Sequence, residues 1–116
     1  MNILRAIACG ALLTVPATAA LAEIDILSVT FTCENNVPVP VSYFNASDGS
    51  GAAALIVDNS LVAMRQVPSG SGIRYESVGS DGTYILRSKG WNATISYQAA
   101  GSAANEQVIY QECTSR

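Results

Sequence analysis

The sequence predicts an all-β fold, a small eight-stranded antiparallel β-barrel braced by one disulfide. Three observations carry that expectation. Apolar and polar residues alternate with a period of two along most of the chain, turn-forming residues recur at even spacing between those runs, and no segment past the leader has helical periodicity. Short strands at this spacing fit a barrel or a sandwich; closure into a barrel removes exposed strand edges.

The chain has 116 residues, and its beginning reads as an export address. Arg5 gives a short basic start, Ala6 to Ala20 is mostly small and apolar, and Ala20-Leu21-Ala22 is a small-x-small cleavage pattern. Residues 1–22 are therefore expected to be a cleaved signal peptide, and residues 23–116 a single domain. Too few residues precede Cys9 for a signal core of about 7 to 15 apolar residues, so Cys9 is read as part of the leader rather than as a lipid attachment point. No later apolar run approaches the about 18 residues of a membrane helix. An exported domain with no membrane anchor follows.

A domain of this size buries only about 60 to 70% of the surface its unfolded chain exposes, so a covalent brace helps. Cys33 and Cys113 remain after cleavage, near opposite ends of the domain and in a compartment that permits oxidation. We pair them.

Taken in order, Leu27, Val29, Phe31 and Cys33 alternate with Ser28, Thr30 and Thr32, which marks the first strand. Val37, Val39, Val41 and Tyr43 mark the second; Pro38 and Pro40 cannot donate to a ladder, so this strand lies at an edge or starts late. Ala53–Val57 and Leu61–Val67 flank Asp58-Asn59-Ser60 as a hairpin. A second hairpin joins Ile73–Ser77 and Thr83–Ser88 through Gly79-Ser80-Asp81-Gly82. Ala93, Ile95 and Tyr97 alternate in the seventh strand, and Gln107–Thr114 closes the chain after a polar turn at residues 101–106. With eight strands the interior is just wide enough to fill with side chains, so no lipocalin-sized cavity is expected. There is no internal repeat.

Past Ala22, five basic residues (Arg65, Arg74, Arg87, Lys89 and Arg116) face nine acids, a formal charge of −4. Nucleic acid is an unsuitable partner, because phosphate neutralisation needs basic clusters. A basic protein suits this balance better, through steering that weakens with salt.

The chain contains no histidine, which excludes Ser-His-Asp and Cys-His catalysis and most zinc sites. A serine activated by lysine remains drawable, with Ser71 or Ser88 beside Lys89, but it needs a desolvated lysine that a small barrel barely offers. The acids sit singly in turns, without the spacing of a glycosidase pair or a calcium loop. No cofactor or metal is expected. Gly70-Ser71-Gly72 has no following Lys-Ser/Thr and no helix start, so it is not a phosphate loop. Asn45-Ala46-Ser47 and Asn92-Ala93-Thr94 match the glycosylation triplet but read as structural outside a eukaryotic host.

Ser71-Gly72-Ile73-Arg74-Tyr75, the run Tyr84–Gly90 ending in Ser88-Lys89-Gly90, and the flanking Phe31-Thr32-Cys33 and Cys113 resemble the bacterial C-type lysozyme inhibitor family. The resemblance spans nearly the whole domain in the same order. It implies an eight-stranded antiparallel barrel without catalytic activity, whose S-G-x-x-Y and S-K-G loops enter the lysozyme cleft and meet its two catalytic carboxyls. Carried over by residue, the lysozyme-binding positions are Ser71, Gly72, Tyr75 and Lys89. Arg74 and Trp91 are neighbouring candidates. Tyr75 is read equally as a core ring bracing the loop or as a contact, and Trp91 as an interface anchor or as packing over the barrel mouth. The turn between Tyr75 and Tyr84 is longer than the family's, and Trp91 stands where an acidic residue is commoner.

A leader without a lipidation cysteine puts the chain with the soluble periplasmic members, protecting peptidoglycan against host lysozyme. Assembly as a homodimer stays open. The competing classes are a small Ser-Lys hydrolase and a structural or ligand-binding envelope barrel.

Overall fold

The structure is a computed structural model that describes residues 23–79, 81–101 and 105–116. The expected signal peptide, Ser80 of the turn expected at Gly79-Ser80-Asp81-Gly82, and residues 102–104 lie outside the described residues.

Eight strands follow one another: β1 (Ile24–Cys33), β2 (Val37–Ala46), β3 (Gly51–Val57), β4 (Ser60–Val67), β5 (Ile73–Ser77), β6 (Gly82–Lys89), β7 (Asn92–Ala99) and β8 (Glu106–Thr114). Each pairs antiparallel with the next, and β8 returns to β1 to close the barrel. The period-two alternation has its expected cause. Val39, Val41 and Tyr43 of β2, Ala53, Leu55 and Val57 of β3, and Tyr75, Leu86 and Ile95 of β5–β7 all point inward and fill the interior.

The prolines of β2 sit where the ladder does not need them. β2 pairs with β1 along its full length, Cys33 opposite Val37 to Ile24 opposite Ala46, but pairs with β3 only from Val41 onward. Pro38 and Pro40 therefore occupy a half-strand with one neighbour, which reconciles an edge-type residue with a strand inside a closed barrel. The β3–β4 hairpin is tighter than the sequence suggests. Ser60 already pairs with Val57, leaving Asp58 and Asn59 as a two-residue turn with φ of 50° and 65°, the positive values that match the twist of a hairpin.

Closure is economical. Among the described residues, β1 and β8 share one ladder pair, Thr32 opposite Thr114, and the Cys33–Cys113 disulfide lies beside it. The Gln111 side-chain amide also donates to Glu34 in the 3-10 turn Glu34–Asn36, across the same seam. Among the described residues, β1 before this point is in ladder register with β2 alone. Leu27, expected inward, is consequently 56% exposed at the open mouth of the barrel.

The outer surface of β5–β8 has a covered patch of its own. Ile85 and Ser96 face each other across β6 and β7 on the outward phase, and both are buried. They are flanked by the ion pairs Arg74–Glu76 and Arg87–Glu106.

Candidate protein-binding site

In an up-and-down barrel alternate connections lie at the same end. The β4–β5 loop, Pro68 to Gly72, therefore shares an end with the β6–β7 turn at Gly90-Trp91. Register does the rest: Ile73 pairs with Ser88, so the loop comes off β5 directly alongside the last residues of β6.

Gly72 makes this approach sterically possible. Its φ is +67°, and a Cβ there would meet the Ser88 carbonyl oxygen at 2.5 Å and the Lys89 Cβ at 3.3 Å. Only a residue without a side chain allows that backbone contact at that φ. Gly70, by contrast, faces open space. The loop is further tied by Ser69, whose hydroxyl donates to the Ser71 carbonyl at 2.8 Å and accepts from the Ser71 N–H at 3.4 Å. Ser71 is left facing β6, and the Lys89 ammonium donates to its hydroxyl oxygen at 3.2 Å. Two segments eighteen residues apart thus form one polar tip.

Of the cations near this tip, Arg74 and Arg87 are neutralised by carboxylates. Arg74 Nη2 lies 2.7 Å from the Glu76 carboxylate, and Arg87 donates to Glu106 through both terminal guanidinium nitrogens, Nη2 at 3.0 Å. The Arg87 guanidinium holds the Glu106 carboxyl below its ordinary value of 4.5. Lys89 differs. Among the described residues no carboxylate pairs with it, and its one hydrogen-bond partner is the uncharged Ser71 hydroxyl.

Beneath the tip lies Tyr75, 2% exposed, with its ring 5.5 Å from that of Tyr43. Of its two sequence readings, the isolated barrel has the core ring that supports the loop. Burial pushes the Tyr43 hydroxyl up to about 12, and this group faces Ser88 without closing a hydrogen bond of standard geometry. Trp91 is 56% exposed in the turn after Lys89, with the Arg116 guanidinium 5.7 Å from its ring centre and its carbonyl accepting from the Ser115 N–H. Leu27, Ile73 and Trp91 rim an apolar hollow of about 220 Å³ at the barrel mouth. The tip therefore has an apolar shoulder on this side.

Ser69, Leu27 and Ile73 were not singled out from sequence. The Ser-x-Ser spacing before Gly72 is the signal for the first, since a hydroxyl two residues from a backbone group favours a local turn. Exposure of Leu27 and Ile73 depends on where the seam opens, and no local pattern carries that. Neither hydrolase pairing has a desolvated lysine, because Lys89 is exposed. No group of three or more His, Cys, Asp or Glu side chains suited to a metal exists among the described residues.

Fold and tip together define a class: a disulfide-seamed eight-stranded barrel presenting, at one end, a glycine-fitted serine loop, an unpaired ammonium and an apolar shoulder. The chain belongs to the family of membrane-bound lysozyme-inhibitors of C-type lysozyme, whose profile matches residues 31–103. It is 34% identical over 91 residues to the membrane-bound lysozyme inhibitor of C-type lysozyme from Pseudomonas aeruginosa, covering 78% of this chain and 68% of that one. Its fold superposes on the crystal structure of the periplasmic lysozyme inhibitor of C-type lysozyme from Salmonella typhimurium with a TM-score of 0.65 at 26% identity, over 81% of this chain and 99% of the other.

Proposed function

We propose that this protein is a non-catalytic inhibitor of C-type lysozyme that acts in the periplasm, after loss of its leader, by inserting the Ser71 loop and Lys89 into the lysozyme cleft. The observation that carries this reading is the Lys89–Ser71 pair, an exposed ammonium held by a hydroxyl while the adjacent arginines are neutralised. A glycosidase cleft of this type holds one protonated and one ionised carboxyl. A permanent ammonium suits the ionised group, and a hydroxyl that both donates and accepts suits either. Gly72 keeps the loop pressed against β6, so the two groups arrive together. Tyr75 supports the loop from within, and Trp91, Leu27 and Ile73 supply apolar contact beside it, as the centre of a protein interface requires.

The test is clearing of a cell-wall suspension by a hen-type lysozyme. Mature protein should slow clearing in proportion to its molar ratio, and no slowing at tenfold excess overturns the reading. Periplasmic fractionation of the host, with the amino terminus of the recovered protein at Glu23, would support export and cleavage after Ala22.

A further inference from the structure

On the other side of Lys89 from the apolar shoulder, Ser71, Lys89, Asn92, Thr94 and Glu112 line a groove of about 660 Å³ that runs across the outer ends of β6, β7 and β8. Glu112 is out of place there by backbone criteria. The other non-glycine residues with positive φ among the described residues are Asn35, Asn36, Asp58 and Asn59, all in turns and all of the type that tolerates this region. Glu112 has φ of 54° inside a strand.

The cause is a bulge. Ala93 pairs with Cys113 and Ile95 with Tyr110, so Gln111 and Glu112 together face the single residue Thr94. Gln111 uses the bulge to reach Glu34 across the seam. Glu112 is turned to the groove, exposed, and its carboxylate has no partner among the described residues. Glycine or asparagine would take this backbone conformation with less strain. The bulge explains the backbone, then, and leaves the glutamate side chain without a folding purpose.

We infer that Glu112 is a second recognition point of the tip, an anionic subsite that receives a lysine or arginine of a basic partner protein beside the carboxylates met by Lys89. The inference rests on the inhibitor reading and adds to it. Lys89 and Glu112 border one groove with opposite charges, so they demand a partner surface of alternating sign, acid in the cleft and base on its lip. Such a two-sign pattern selects among lysozymes more sharply than a lone lysine, because a partner with an acid on the lip is repelled. Asn92 and Thr94, between the two charges, offer uncharged hydrogen-bonding groups to the intervening backbone.

The experiment compares binding of a hen-type lysozyme to the wild type, Glu112→Asn, Glu112→Lys and the control Asp58→Asn. Asp58 sits in the β3–β4 turn at the opposite end of the barrel and also has positive φ, so its variant makes the same charge change away from the groove. Glu112→Asn should weaken binding about three- to tenfold at low salt, with the deficit shrinking at high salt, and Glu112→Lys should weaken it further. Melting temperature should stay level or rise in Glu112→Asn, since asparagine is easier at this φ. If Glu112→Asn binds like the wild type, or loses no more than Asp58→Asn, the subsite is overturned while the inhibitor reading stands. Failure of the wild type itself to bind lysozyme overturns both.

Discussion

Lys89, Ser71 and Gly72 divide the work of the tip, and each has its own expected cost on removal. Lys89→Ala would leave a lysozyme carboxylate desolvated and unpaired, which costs about 2 to 5 kcal/mol, or roughly 30-fold to several thousand-fold in affinity. Thermal stability should be unchanged, because Lys89 is exposed and holds only one hydrogen bond within the barrel. Ser71→Ala should cost about 1 to 3 kcal/mol, and the double variant should be less than additive by at least about 0.5 kcal/mol. Arg87→Ala is the binding control, its charge being already spent on Glu106. Titration of inhibition across these four variants checks the set, and equal damage from Arg87→Ala and Lys89→Ala would remove the lysine from the cleft. Gly72→Ala is a geometric test. Its new Cβ meets a backbone carbonyl, not a flexible side chain, so the loop must lift away from β6. Inhibition should fall at least about tenfold with the fold intact by circular dichroism, the loss expected when a preorganised loop is freed. That Ser71 and Lys89 meet at one end of the barrel was expected from the sequence, through the resemblance carried by the short S-G-x-x-Y and S-K-G patterns. That Gly72 and not Gly70 is sterically required was not, since the difference is contact with Ser88, sixteen residues on.

At the level of strands, alternation located β1, β2 and β7, whose inward residues enter a single core, and turn residues bounded the other runs. The expected edge character of β2 came from Pro38 and Pro40, and it holds for the half of the strand that β3 does not reach. The bulge in β8 was illegible, because Gln111-Glu112 carries no glycine to advertise it. The Arg87–Glu106 contacts between the outward faces of β6 and β8 also escaped notice, as they depend on register rather than on neighbours in sequence. They bear on acid stability. With its carboxyl held low in the folded protein by Arg87, Glu106 contributes stability that is fully present above its unfolded value of 4.5 and is lost as pH falls through the lower folded value. Melting temperature in the wild type should therefore drop below about pH 4.5. Arg87→Ala, with the pair already broken, should be about 0.5 to 1 kcal/mol less stable at neutral pH and show a shallower acid drop. Parallel melting curves for the two proteins from pH 7 to pH 3 measure the difference, and identical slopes would mean that the pair contributes nothing.

Over the whole molecule, net charge and the seam are the features that act at this scale. Without residues 1–22 the chain carries a formal charge of −4, and facing a basic lysozyme it should associate faster at low salt, with dissociation changing much less. Stopped-flow association at several ionic strengths checks this; a flat rate would make net charge irrelevant to encounter. Closure was legible because residues 23–116, with two cysteines towards their ends and evenly spaced strands, have few ways to hide their edges. How little pairing accompanies the closure was not, since the stagger between first and last strands is a property of the assembled barrel. The seam also stands close to the tip. Ile73, Ser88, Ala93 and Cys113 lie on one rung across β5 to β8, and the disulfide joins that rung to Cys33 of β1.

That arrangement sets a timetable for folding. Among the described residues, every strand ladder except β1–β8 is a hairpin between consecutive elements, which forms quickly because little chain must be closed. The exception joins residues eighty apart and must wait for the last strand. A reduced chain has to find that meeting by diffusion and then hold it with a single ladder pair, whereas an oxidised chain begins with the meeting already made. Refolding from denaturant should accordingly be several-fold faster for the oxidised protein than for the dithiol form. Recovery of lysozyme inhibition should track the slow closing step in the dithiol form, even while β4–β5 and β6–β7 have long since zipped. Export into an oxidising compartment would then decide when the inhibitor becomes competent, as well as where.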